Sequence, residues 1–284
     1  MVLKIVTSIY ELNYEEGRGG MVYKSFPLLT QTIRNILFDN FEYVIYTDKK
    51  TYDKHHLDHY FKRNNVTIKF HELNDDFYVE NIEPTRKYKY DQGEIWDRIY
   101  CVKNYSEVIH NKLKFLLLES ENFEGNVVWI DSGLFGTSCH DGWRDYINDI
   151  AHSELFLNKI NEKIIDHKFI ALNGSGVLIN YEFSDRFRNC FGVNPFVVSG
   201  GLFGGKPKVV KSLLNDYNSY LLKMIEINNE LFSEQELMSI LLENKENVKF
   251  FEYGDWLDFQ KPILEIMDLL DLSKYKTEKC YDRI

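Results

Sequence analysis

The sequence predicts an α/β protein: a mostly parallel central sheet with helices on both faces. Short β-branched apolar runs alternate with amphipathic stretches along the first half of the chain, as strands connected by crossover helices require. Several of the runs end in an acid, a hydroxyl or glycines, and in an open α/β sheet the carboxyl ends of the strands are where ligands bind. A chain of 284 residues with 44% hydrophobic content is also large and apolar enough to fill one sizeable core.

The elements follow in order. "LKIVTSI", residues 3 to 9, is β-branched and precedes the glycine-rich "EEGRGG", which makes it a buried strand running into a loop. Residues 24 to 38 place Phe26, Leu29, Ile33, Ile36 and Leu37 near helical spacing. "YVIYTD", 43 to 48, is a second strand that ends in Asp48; "HHLDHYFKRN" reads as the next helix and "VTIKFHEL", 66 to 73, as the third strand. Beyond the aromatic and charged "TRKYKYDQGEIWDRIY", an amphipathic helix over Ser106 to Ser120 carries Val108, Leu113, Leu116 and Leu117, and "NVVWIDSG", 126 to 133, is a strand that meets an acid. In the second half, "FIALNGSGVLIN" (169 to 180) reads as strand material broken by glycines and "PFVVSGGLFGG" (195 to 205) as a strand entering a glycine-rich turn. Residues 208 to 225 read as a helix, and so do 233 to 243, with Ser233 as N-cap and Glu236 as its capping-box partner. No repeat, low-complexity tract or linker divides the chain, so residues 1 to 284 are expected to form one domain.

Composition and missing motifs narrow the function. A net charge of −10 argues against nucleic acid as a partner. Cys101, Cys139, Cys190 and Cys280 are scattered, with no CxxC pair and no zinc spacing, which fits a reducing compartment. The opening apolar run is too short for a signal peptide and is followed by Glu11, Glu15 and Glu16. No run approaches the roughly 18 apolar residues of a membrane span. The expectation is a cytoplasmic protein, with peripheral association at a membrane surface left open. In "EGRGGMV" Val22 stands where a dinucleotide fingerprint needs its last glycine, and no Walker A sequence is present.

What remains is Asp131, at the end of Val127-Val128-Trp129-Ile130 and directly before Ser132 and Gly133. A carboxylate there accepts hydrogen bonds from a ribose or holds a hard divalent cation beside a diphosphate, and the small residues let a ligand approach the backbone. The same pattern also serves simply to cap a turn. Thr7, Ser8 and Asp48 fall at neighbouring strand ends, which defines a candidate nucleotide-sugar crevice. Arg18 lies in a loop over it, where a guanidinium pairs bidentately with phosphate. Gly200 and Gly201 leave room for a sugar ring against the backbone, or else form a tight turn. Glu234 and Glu236 stand two apart at a helix start and point in different directions; with Glu236 in the capping box, Glu234 is the candidate general base.

These pieces resemble GT-A glycosyltransferases, whose DxD motif follows an apolar strand, and more closely the HtrL/YibB-like family of bacterial glycosyltransferase-like proteins with its "WIDxG" core. The matching segments are "NKLKFLLLES", "VVWIDSG", "VVSGGLFGG" and "SEQELM". The resemblance implies a GT-A-like (Rossmann-like) fold and transfer of a sugar from a UDP- or GDP-linked donor to a hydroxyl of a glycan acceptor. It also implies a divalent cation, Mn²⁺ or Mg²⁺. Gly133 departs from the motif, since the last acid of a DxD would stand there. The implied metal ligands are therefore Asp131 and, as a late ligand, Asp255 in "YGDW". Lys112 becomes a candidate basic contact to the nucleotide, while Lys114 reads as part of a solvated helix face. A catalytically silent nucleotide-sugar or glycan binding protein on the same fold is the alternative, and a nucleotidyltransferase the third reading.

Overall fold

The computed structural model describes residues 2–12, 30–73, 104–134, 149–174, 197–228, 234–242, 245–252 and 260–269. In chain order these form β1 (Leu3–Ser8), α1 (Gln31–Asn35), β2 (Glu42–Thr47), α2 (Lys49–His55), α3 (Leu57–Phe61), β3 (Val66–Phe70), α4 (Tyr105–Ser120) and β4 (Asn126–Ile130). They continue with α5 (Glu154–His167), β5 (Phe169–Gly174), β6 (Val197–Gly205), α6 (Pro207–Leu214), α7 (Tyr217–Asn228), α8 (Glu234–Leu242), β7 (Val248–Glu252) and α9 (Gln260–Ile266). Among the described residues no helix is long and apolar enough to cross a membrane.

The strands join in one seven-stranded sheet in the order β3-β2-β1-β4-β6-β5-β7. Pairing is parallel throughout except that β6 runs antiparallel to both β4 and β5. The expected α/β fold with a mostly parallel sheet is therefore what forms, in a Rossmann-like arrangement. Alternation along β4 sends Val127 and Trp129 to one face and Val128 and Ile130 to the other, and all four are buried. The first face packs on Leu113, Phe115 and Leu116 of α4, Leu213 of α6, Leu221 of α7 and Leu237 of α8. The second packs on Ile33 of α1, Phe61 of α3, Ile160 and Ile164 of α5 and Ile263 of α9.

Besides β7 and α9, which the sequence did not predict, four elements depart from expectation. The helix read across "HHLDHYFKRN" is two helices, because His56 adopts a left-handed φ of 49° and ends α2 before α3 begins. The helix read over 208 to 225 is likewise broken, into α6 and α7, at Asn215 and Asp216. Helix α5 was not expected, although Ser153 caps it by accepting from Phe156 N–H at 3.1 Å. The fourth departure is "SGGLFGG", which is not a turn but the body of β6. A Cβ on Gly204 would press on the Val127 carbonyl and come within 2.5 Å of Val128 Cα, and one on Gly205 would meet the Lys168 carbonyl and Phe169 Cα. These glycines are where neighbouring backbones close on a central antiparallel strand.

The register between β6 and β5 shifts between Ala171 and Leu172, which pair with Phe203 and Ser199 respectively. Gly200, Gly201 and Leu202 therefore have no β5 partner in that ladder, and Gly200 lies against the Glu234 and Lys112 side chains of α8 and α4.

Candidate functional site

Asp131 follows the last residue of β4, and its backbone N–H donates to the Gly201 carbonyl at 2.8 Å, so the acid is fixed by the β4–β6 pairing itself. Its carboxylate lies on the same face as Trp129, two residues back, and the indole Nε1–H donates to Oδ1 at 2.7 Å. From α4 the Lys112 ammonium straddles the same carboxylate, 3.1 Å from Oδ1 and 3.2 Å from Oδ2. Lys112 Nζ also donates to Glu234 Oε1 at 3.0 Å and to the Gly200 carbonyl at 3.3 Å. Its three N–H groups thus all have acceptors within the protein.

Burial grades this cluster. The Glu234 side chain is 3% exposed, that of Lys112 11% and that of Asp131 34%, so the carboxylate of Asp131 is the part that meets solvent. Burial alone would pull the Lys112 ammonium down, but the carboxylates of Asp131 and Glu234 outweigh it and hold the amine above the ordinary lysine range. Burial pushes the Glu234 carboxyl up; Lys112 opposes this only in part, and the negative charge of Asp131 adds to it. Both directions follow from one cation set between two acids: the ammonium is doubly held, and the deeper acid is the one that resists ionising.

The raised Glu234 carboxyl has a consequence for stability. A carboxyl that binds its proton more tightly in the folded chain contributes stability that is fully present below its ordinary value of 4.5 and is lost as pH rises through the higher folded value. Denaturation of wild type and Glu234→Gln across that window is expected to show wild type losing stability relative to the variant as pH climbs above 4.5. A difference that stays flat with pH would mean that Glu234 titrates normally.

The other expected residues fall around this cluster in different ways. Ser8 is the partly exposed last residue of β1, two residues beyond Val6, where the β1–β4 ladder ends at the Val6–Trp129 pair. Thr7 points to the opposite face with Ile5 and Ile9; it is fully buried, and its Oγ1 has no hydrogen-bond partner among the described residues. Asp48 is 8% exposed and caps α2 by accepting from the Thr51 N–H, a structural role. The Ser132 carbonyl accepts from Ile33 N–H at 3.2 Å, and the turn through Gly133 closes with Leu134 N–H on the Asp131 carbonyl at 3.1 Å. Arg18, Ser233 and Asp255 lie outside the described residues, as does the side chain of Glu236.

The two glycines face opposite ways. A Cβ on Gly200 would collide with Glu234 Oε1 and stand 3.2 Å from Lys112 Nζ, whereas one on Gly201 would strike the Leu134 side chain. Their missing side chains are filled by the protein's own groups, so the space beside them is packed rather than open to a sugar. Lys112 and Glu234 likewise turn inward, onto Asp131 and onto each other. Trp129 was not anticipated as a site residue. Its signal was available, because residues i and i+2 of a strand share a face.

The implied divalent cation fits the described residues poorly. Such ions take six or more oxygen ligands, and among the described residues no three His, Cys, Asp or Glu side chains are grouped to hold one. The one partly exposed carboxylate here is already bound by an ammonium and an indole.

No family model matches the chain, and no curated protein matches it; membership of the HtrL/YibB-like family is thus not established. Among solved structures, 4-diphosphocytidyl-2C-methyl-D-erythritol synthase from Anaerococcus prevotii is similar at 12% identity, with 94% of this chain and 95% of that chain covered and a TM-score of 0.43. No residue role is carried over from it.

Proposed function

We propose that this chain is a transferase that uses a nucleotide-linked sugar, with GT-A-like glycosyl transfer from a UDP- or GDP-linked donor to a glycan hydroxyl as the specific reaction. The observation that carries the reading is Asp131, a carboxylate held in place by Trp129 and Lys112 at the carboxyl end of a central strand and 34% exposed. In an α/β sheet that is the crest where ligands bind. A fixed, partly exposed acceptor suits the hydroxyl-rich surface of a ribose or sugar. Asp131 orients the donor, and Glu234 acts through Lys112, which it seats, rather than on an acceptor hydroxyl. The bond from the sugar carbon to the diphosphate oxygen breaks with its electron pair on the departing nucleoside diphosphate, a bond to the acceptor oxygen forms, and the acceptor proton passes to solvent water.

A binding protein without turnover is the second reading. The burial of Glu234 favours it, because the acid expected to serve as general base is engaged by Lys112. A panel of UDP- and GDP-sugars, followed by thermal shift and by hydrolysis with and without Mn²⁺, separates the two. Stabilisation with release of nucleoside diphosphate is expected. Stabilisation without release or transfer, across glycan acceptors, would favour the binding protein, and no stabilisation by any nucleotide sugar would end both.

A further inference from the structure

The resemblance expects a divalent metal ion where Asp131 stands, yet the structure places a lysine there. We propose that Lys112 is the resident cation of Asp131, seated by Glu234 and the Gly200 carbonyl, and that ligands meet this carboxylate through hydrogen bonds and not through a divalent metal ion.

Four oxygens lie 3.0 to 3.3 Å from Lys112 Nζ, two of them the pair belonging to Asp131. An ammonium has three protons, so this amine is saturated and has no freedom to turn toward a phosphate. A metal ion on Asp131 would stand next to that fixed positive charge and would compete with the Trp129 N–H for Oδ1. Among the described residues, the other carboxylate of the cluster, Glu234, is 3% exposed and packed under Gly200. Each feature that a divalent ion would need is already occupied: the charge of Asp131 is balanced, its geometry is set by two donors, and the neighbouring acid is enclosed. What remains free is acceptor capacity on a carboxylate that accommodates about four hydrogen bonds. That capacity matches neutral hydroxyl donors, such as the vicinal hydroxyls of a ribose or pyranose.

The arrangement also explains the departure at Gly133. With an ammonium serving Asp131, a second acid at that position would add an unbalanced charge to a cluster that already holds two carboxylates and one cation. The proposal concerns how Asp131 is neutralised; it rests on the proposed function only where donor binding is measured.

The test uses Mn²⁺ alone, followed by water-proton relaxation. Wild type and Asp131→Asn are expected to bind Mn²⁺ indistinguishably. Lys112→Met removes the cation that competes for the partly exposed Asp131 carboxylate, and it is expected to gain at least tenfold in Mn²⁺ affinity, a gain lost again in Lys112→Met/Asp131→Asn. A wild-type Mn²⁺ site that disappears in Asp131→Asn overturns the proposal, as does a folded Lys112→Met with no gain. Should Lys112→Met fail to fold, the comparison of wild type with Asp131→Asn decides alone. In a parallel arm, the thermal shift given by UDP- or GDP-sugars is expected to persist in EDTA, and a shift that requires Mn²⁺ and Asp131 together overturns the proposal. If no nucleotide sugar binds under either condition, the proposed function falls while the Mn²⁺ comparison still decides this one.

Discussion

Lys112→Met is expected to be the most damaging single change in the site, lowering folding stability by about 3 to 5 kcal/mol, the usual cost of removing one partner from a buried ion cluster. Methionine keeps the length of the apolar stem, so packing of α4 against β6 is largely preserved and the loss reports the charge. Without it, the Glu234 carboxyl, 3% exposed, loses its cation, and among the described residues Asp131 keeps the indole N–H as its side-chain donor. The double variant Lys112→Met/Glu234→Gln removes one charge of each sign and is expected to recover a substantial part of the loss, because the stranded anion was the source of it. Urea denaturation of the three proteins measures both effects. Additive losses in the double variant would show that Lys112 and Glu234 do not act as a unit.

Gly200→Ala is expected to cost about 1 to 3 kcal/mol by overpacking, and to weaken ligand binding as well. The new methyl has no room unless the Glu234 carboxylate moves off Lys112. A displaced Glu234 releases the ammonium, and with it the orientation of Asp131. Gly201→Ala is the control on the adjacent residue, where the methyl meets the end of the Leu134 side chain, which has rotamers to use. Melting temperature and donor affinity are expected to fall further in Gly200→Ala than in Gly201→Ala. The reverse order would mean that the free side of β6 lies toward Glu234 and that the ion cluster does not depend on it.

Much of the fold was legible because the signals were local. The first, second and fourth strands are runs of β-branched or aromatic residues closed by a hydroxyl or an acid, and α4 carries Val108, Leu113, Leu116 and Leu117 near helical spacing. Helix α5 carries the same kind of local signal, with Ser153 as cap and Phe156, Leu157, Ile160 and Ile164 on one face. Only the start of strand β6 was legible as strand, and its glycine-rich body read as a turn. Glycines mark a turn when read alone, and only the approach of Val127 and Val128 from β4, and of Lys168 and Phe169 at the start of β5, makes them a requirement of the sheet.

The site divides in the same way. Asp131 could be picked out from a strand end, and Lys112, Glu234 and Gly200 were each noticed, but assigned separately to phosphate, base and sugar. That they converge on one another depends on contacts spanning 19 residues between Lys112 and Asp131, 88 between Lys112 and Gly200 and 122 between Lys112 and Glu234. No spacing rule reaches that far. Asp48 shows the opposite case: its fate as a helix cap was written three residues away, in the Thr51 N–H it accepts.

The central claim is that the carboxylate of Asp131 holds a nucleotide-linked sugar, and calorimetry of wild type against Asp131→Asn, with the nucleotide sugar that most stabilises wild type, tests it most directly. Asparagine keeps the shape and still accepts from Trp129, while Lys112 retains Glu234 and the Gly200 carbonyl, so the variant is expected to fold. Its affinity is expected to drop by about 1 to 3 kcal/mol, the cost of losing a hydrogen bond to a charged acceptor. Unchanged affinity in a folded Asp131→Asn variant would contradict the account, because the ligand would then sit elsewhere on the protein.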